Sequence, residues 1–146
     1  MASLAFTSAG STISIADPVV TVNQANLAGA TYVVINEVTD IGEFGKSYNL
    51  VSHNPLGTRQ TIKRKGSFNN GTIALQAAIA PSDPGQVKLA SAVDSDSSYC
   101  YKVVLQNGTA YYFTAQAMGM PVNVGGVDSI TSTACNLEID SDIWKV

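Results

Sequence analysis

Apolar and polar residues alternate with a period of two along much of the chain. In STISIADPVVTV (11–22), Ile13 and Ile15, then Val20 and Val22, stand one apart. Asp17-Pro18 breaks the run, so the pattern predicts short strands or an extended arm. TYVVINEVTDI (31–41) predicts a strand whose apolar centre, Val33-Val34-Ile35, is buried on both faces. From 42 to 57 there is no period, three glycines and one proline. That predicts a long loop, and loops of that length in compact domains are usually functional.

Residues 58–68 and 71–80 are predicted as two strands joined at Asn69-Asn70-Gly71, because Asn-Gly supplies the positive φ of a tight hairpin. PSDPGQVKLASAVDS (81–95) is the one predicted helix. Asp83 can cap it, Pro84 suits its first turn, and Gln86 stands where a capping box needs it. A second hairpin is predicted over 97–120, turning at Asn107-Gly108, and a last strand or pair over 130–144. This order predicts a single mainly β (α+β) domain: an antiparallel β-sandwich or half-barrel with one short flanking helix. Residues 1–22 form an N-terminal arm and 42–66 a long loop with a basic arm.

Only 13% of the 146 residues are charged, about half the usual share. Such a surface suits either a neutral Ser/Thr-covered β domain or a protein that covers itself with other copies. The start lacks the charged and apolar segments of a signal peptide, and no run is long enough to span a membrane. The expected setting is therefore a reducing cytoplasm, with no membrane binding. Cys100 and Cys135 lack metal spacing and are expected as buried free thiols.

Little in the chain carries catalysis. The single histidine, His53, falls in the predicted loop with no nucleophile elbow beside it. No phosphate cradle or zinc spacing appears, so the expectation is no enzyme, cofactor or metal. In LEIDSDI, Glu138, Asp140 and Asp142 fall on one face of the predicted last strand. That face is open to three readings: ordinary solvent exposure, a calcium site, or a surface made negative so that an anion passes without sticking. Tyr111, Tyr112 and Phe113 would be the platform of a carbohydrate-binding module, although at most two of them share a face.

The charge is unevenly placed. Arg59, Lys63, Arg64 and Lys65 are four of the eight cations of a chain with net charge −3. A nucleic-acid reader has a basic balance and interleaved base readers; here the pI is about 4.8. The acids lie elsewhere in the chain. A cationic arm and separate carboxylates suit head-to-tail contact between copies, which builds rings or filaments.

The order of the parts resembles the tail tube protein of long-tailed, siphovirus-type bacteriophages. The resemblance rests on Ile35, Glu37, Val38 and Ile41, then Gly71, Ile73 and Leu75, then Asp83-Pro84-Gly85-Gln86. Tyr111, Phe113 and Ala115, and finally Asp128 and Ile130, complete it over roughly residues 31–140. It implies a virion protein, assembled in the host cytoplasm, that forms six-subunit rings stacked into a tube for DNA ejection. Partners would be other copies, passing DNA, and tape-measure, terminator and tip proteins at the tube ends. By the same resemblance, 42–65 and the arm 2–22 reach the next ring, where Arg59, Lys63, Arg64 and Lys65 pair with carboxylates. Glu138 and Asp140, then Glu37 and Asp40, are the acids expected to line the bore. A secretion tube of the type VI ring kind shares this architecture and remains an alternative.

Overall fold

A computed structural model of the chain describes residues 5–146. Its strands are β1 (Thr12–Ala16), β2 (Val33–Val34), β3 (Val38–Asp40), β4 (Ser47–His53), β5 (Ile62–Asn69), β6 (Thr72–Ala78), β7 (Tyr99–Val104), β8 (Ala110–Gly119), β9 (Val122–Asn123), β10 (Ser132–Ile139) and β11 (Trp144–Lys145). Its helices are α1 (Gln24–Ala28) and α2 (Pro84–Val93). The main antiparallel sheet runs β2-β1-β7-β8-β10-β6-β3, with β9 on β10 and β11 on β8; β4 and β5 form a separate two-stranded ribbon.

Alternation decides what the sheet buries. On β6, Ile73, Leu75 and Ala77 point inward while Thr72, Ala74 and Gln76 face out. On β10, Cys135, Leu137 and Ile139 join them. Ile13, Ile15, Tyr101, Val103, Phe113 and Ala115 complete the core, and α2 closes over it with Leu89 and Ala92. Tyr101 and Phe113 stack 5.9 Å apart. On the opposite face, α1 buries Leu27 against Ala16 and Cys100, flanked by Tyr32, Tyr112 and Trp144.

The sheet curls into a half-barrel because its two edges are consecutive in the chain. The Ile35 N–H donates to Ile13 O on the β1 side, and the Ala78 N–H of β6 donates to Glu37 O. Residues 35–37 thus bridge the seam, and the N-terminus of α2 plugs it. Asp83 accepts from the backbone N–H and the side-chain amide of Asn36 and also from the Gln86 N–H. Gln86 Nε2 donates to Asn36 O and Ala78 O, while its Oε1 accepts from the Ala80 N–H. Gly85 lets the helix in: a Cβ there would stand 2.2 Å from Val34 O.

The helix cap at Asp83 and the Asn107-Gly108 hairpin stand as the sequence predicts, the latter pairing Val104 with Ala110. Gln86 does not close a capping box; it serves the seam instead. Several expectations are corrected. Residues 31–41 are two short strands, not one, interrupted at Glu37, whose φ is 62°. Val34 at the sheet edge is exposed, so only Ile35 of the apolar centre is buried. The supposed loop 42–57 contains β4, and His53 ends that strand. Finally, Asn69-Asn70-Gly71 is a corner, not a hairpin turn: β5 pairs with β4, and β6 with β10 and β3.

The expected N-terminal arm is only partly free. Thr12–Ala16 is an interior strand, with Ile13 and Ile15 fully buried. Residues 1–4 lie outside the described residues. A second helix, α1, follows that strand, capped by Asn23, whose side chain accepts from the Asn26 N–H.

Candidate interaction surfaces

The ribbon is built on Gly45 and the corner at 69–71. The Gly45 N–H donates to Asn70 O, and Asn69 Oδ1 accepts from the Gly71 N–H. Gly71 takes φ 97°, the left-handed region that glycine tolerates. Asn70 Nδ2 donates to Ser141 O, and the Ile139 N–H to Gly71 O, fixing the corner to the end of β10. At the root, Tyr48 and Phe68 pack 5.4 Å apart between two ammonium groups, Lys65 over Tyr48 and Lys46 over Phe68. Two rings held between two cations stiffen the point at which the ribbon leaves the body.

Beyond that root every ribbon residue is exposed except Gly66, which is half-buried. Leu50 pairs with Lys65 and Ser52 with Lys63 on one side; Val51 pairs with Arg64 and His53 with Ile62 on the other. Arg59 lies in the tip, 54–61, beside the fully exposed Leu56. Among the described residues the one ion pair is Lys88–Asp17 at 2.8 Å, so none of the four ribbon cations meets a carboxylate of its own chain. Arg64 donates only to Lys63 O. The structure therefore brings Lys63, Arg64 and Lys65 together on a ribbon and leaves Arg59 near its tip.

A second surface is the face of β3, β6, β10 and β8 that α1 does not cover. It presents Asp40, Thr72, Ala74, Gln76, Ala134, Asn136, Glu138, Gln116 and Met118. Most of these side chains are small or uncharged. Glu138 projects here and accepts from Thr72 Oγ1 at 2.7 Å. Asp40 stands opposite Gln76 at the sheet edge and accepts from the Gly42 N–H. Asp140 lies just past β10, where Thr114 and Ser98 hydroxyls both donate to it. Glu37 sits apart, at the seam. The four acids thus do not form one row. Asp142 is off the strand altogether, so the three carboxylates of LEIDSDI do not share a strand face.

The aromatic platform is absent: Phe113 is buried, Tyr111 packs edge-on against Phe44, and Tyr112 packs against Tyr32 on the opposite face. Among the described residues no three of His, Cys, Asp and Glu cluster to hold a metal. Both cysteines are free and buried. Burial raises both thiols, Cys135 to about 11. The uncovered sheet face and the ribbon's first strand, β4, escape a sequence reading, because both depend on which strands pair.

Neither a protein-family model nor a curated protein sequence matches the chain. Solved structures do share its fold. A chain of the sheath/tube terminator of an extracellular contractile injection system, PVC, in its extended state superposes with TM-score 0.69 at 11% identity, covering 100% of this chain and 99% of that one. A chain of the 6-fold symmetrised baseplate of the anti-feeding prophage gives 0.66 at 10%, covering 100% and 97%. A chain of the PVC sheath-tube complex gives 0.62 at 12%, covering 93% and 87%. The fold is therefore one found, nearly end to end, in components of contractile injection particles.

Proposed function

We propose that this chain is a structural subunit of a tail-type particle, in which copies form rings of six that stack into a tube. The observation that carries the reading is the ribbon: a stiffly rooted arm, exposed on both sides, with cations that no carboxylate of its own chain neutralises. Leu50, Val51 and Leu56 are exposed along with them. A small domain gains nothing from holding such an arm in water; a neighbour's surface gives it a purpose. The fold supports the reading, since baseplate and sheath/tube structures contain it over the whole chain. Those neighbours belong to contractile injection particles, and the reading takes the tail to be of that kind.

In this reading the uncovered sheet face lines the bore. Its β3, β6 and β10 part faces the channel: Glu138 and Asp40 give it a sparse negative charge, and Thr72, Gln76 and Asn136 keep it wet and neutral, while the end of β8 lies outside the bore. Cations there would exchange counterions with a passing nucleic acid and hold it. Carboxylates among neutral polar groups let an anionic chain such as DNA run through. The subunit does no catalysis and works in the assembled tail, with other tail proteins at the tube ends.

Light scattering across a wide concentration range tests this. Association that grows with concentration and weakens with salt is expected; a strict monomer throughout contradicts it.

A further inference from the structure

Resting on that reading, we infer where the ribbon lands: the cleft between the end of α2 and the end of β8 on a second copy of this chain. That cleft is lined by Val93, Ser95, Asp96, Gln116, Ala117 and Met118. The one charged side chain in that lining is Asp96, opposite in sign to the ribbon's cations. Asp94 is the C-cap of α2, and no basic residue stands in the helix's last turn. A helix C-terminus carries partial negative charge and favours cations. Here it carries two exposed carboxylates instead, Asp94 and Asp96. Neither has an ion-pair partner among the described residues.

The apolar parts match as well. Met118, 60% exposed, forms one wall of the cleft. Leu50, 66% exposed, pairs directly with Lys65 on the ribbon, and Lys63 follows one same-side pair further along, opposite Ser52. Seating Leu50 on Met118 brings the two ammonium groups toward Asp94 and Asp96. Apolar contact in the centre with charge pairs at the rim is the usual anatomy of a specific interface. Donor and acceptor are different patches of one chain, so each copy can give a ribbon and receive one. Such a contact propagates instead of closing on itself in a pair.

Charge reversal in mixtures tests the assignment. Lys63→Glu with Lys65→Glu makes a donor that the acceptor repels; Asp94→Lys with Asp96→Lys makes an acceptor that the ribbon repels. Each variant alone is expected to associate at least about tenfold more weakly than the wild type by sedimentation velocity. An equimolar mixture restores association, because each reversed patch then meets its opposite. If the acceptor variant assembles like the wild type while the donor variant does not, the landing site is wrong and the tube reading survives. If the wild type itself stays monomeric, the tube reading falls and this inference with it. A second probe does not depend on the reversed variants folding: Lys65→Cys and Asp96→Cys chains, mixed, assembled and oxidised, should give a disulfide-linked heterodimer. Assembled protein that yields no such species overturns the assignment.

Discussion

The backbone N–H and side-chain amide of Asn36 both donate to the carboxylate of Asp83, at 3.1 and 2.6 Å, across 47 residues of chain. One carboxylate thereby caps α2 and closes the half-barrel seam. Its removal costs a helix cap and leaves two donors short of a partner. Asp83→Ala is expected to destabilise the fold by roughly 2–3 kcal/mol in a urea titration, and Asp83→Asn by less. Desolvation pushes the Asp83 carboxyl up, but the hydrogen bonds from Asn36 and Gln86 outweigh it and leave the group below its ordinary 3.8. The stability this contributes is present above that value and is lost as pH falls through the lower native one. Acid unfolding below about pH 4 should therefore be blunted in Asp83→Asn; an identical acid limb in the variant and the wild type would contradict the clasp.

Burial of Cys135 has the opposite sign of pH dependence. An unfolded thiol ionises near 9.0, whereas the native one is pushed up to about 11. The native state keeps a proton that the unfolded state gives up, so stability falls as pH rises from the first value through the second. Native protein at pH 8 should also resist a thiol reagent at both cysteines and react fully once denatured. Rapid stoichiometric labelling of the folded chain would show that the core is not closed.

The ribbon should matter to assembly and not to folding. Lys63→Glu with Arg64→Glu changes two exposed side chains, so stability should move by less than about 0.5 kcal/mol. Ring stacking should be lost. Tubes of normal length from this double variant would remove the ribbon from the contact. Duplex DNA at physiological salt should give no measurable shift with wild-type protein; a micromolar one would revive a nucleic-acid role.

Where the signal is local, the sequence is a good guide. Asp83-Pro84 marks the start of α2 because capping and the fixed φ of proline act within a few residues. Asn107-Gly108 marks its hairpin for the same reason. Asn69-Asn70-Gly71 carries the same chemistry but turns a corner, since local φ values do not say which strand the departing arm will pair with. The partners of β6 lie some sixty residues on, at β10, and thirty-odd back, at β3. Tyr48, Leu50 and Val51 give β4 a strand's composition, but glycine and proline on either side hide it. The seam role of Asn36 and Gln86 is the least legible, because the two meet across fifty residues of chain. The basic cluster is plain in the sequence; that it stands on a rooted ribbon with no carboxylate partner among the described residues follows only from the pairing of β4 with β5.

Negative-stain microscopy of the concentrated wild-type protein tests the central claim most directly. Tubes, or six-membered rings with a central hole, are the expected result. A field of isolated single subunits at every concentration would contradict it.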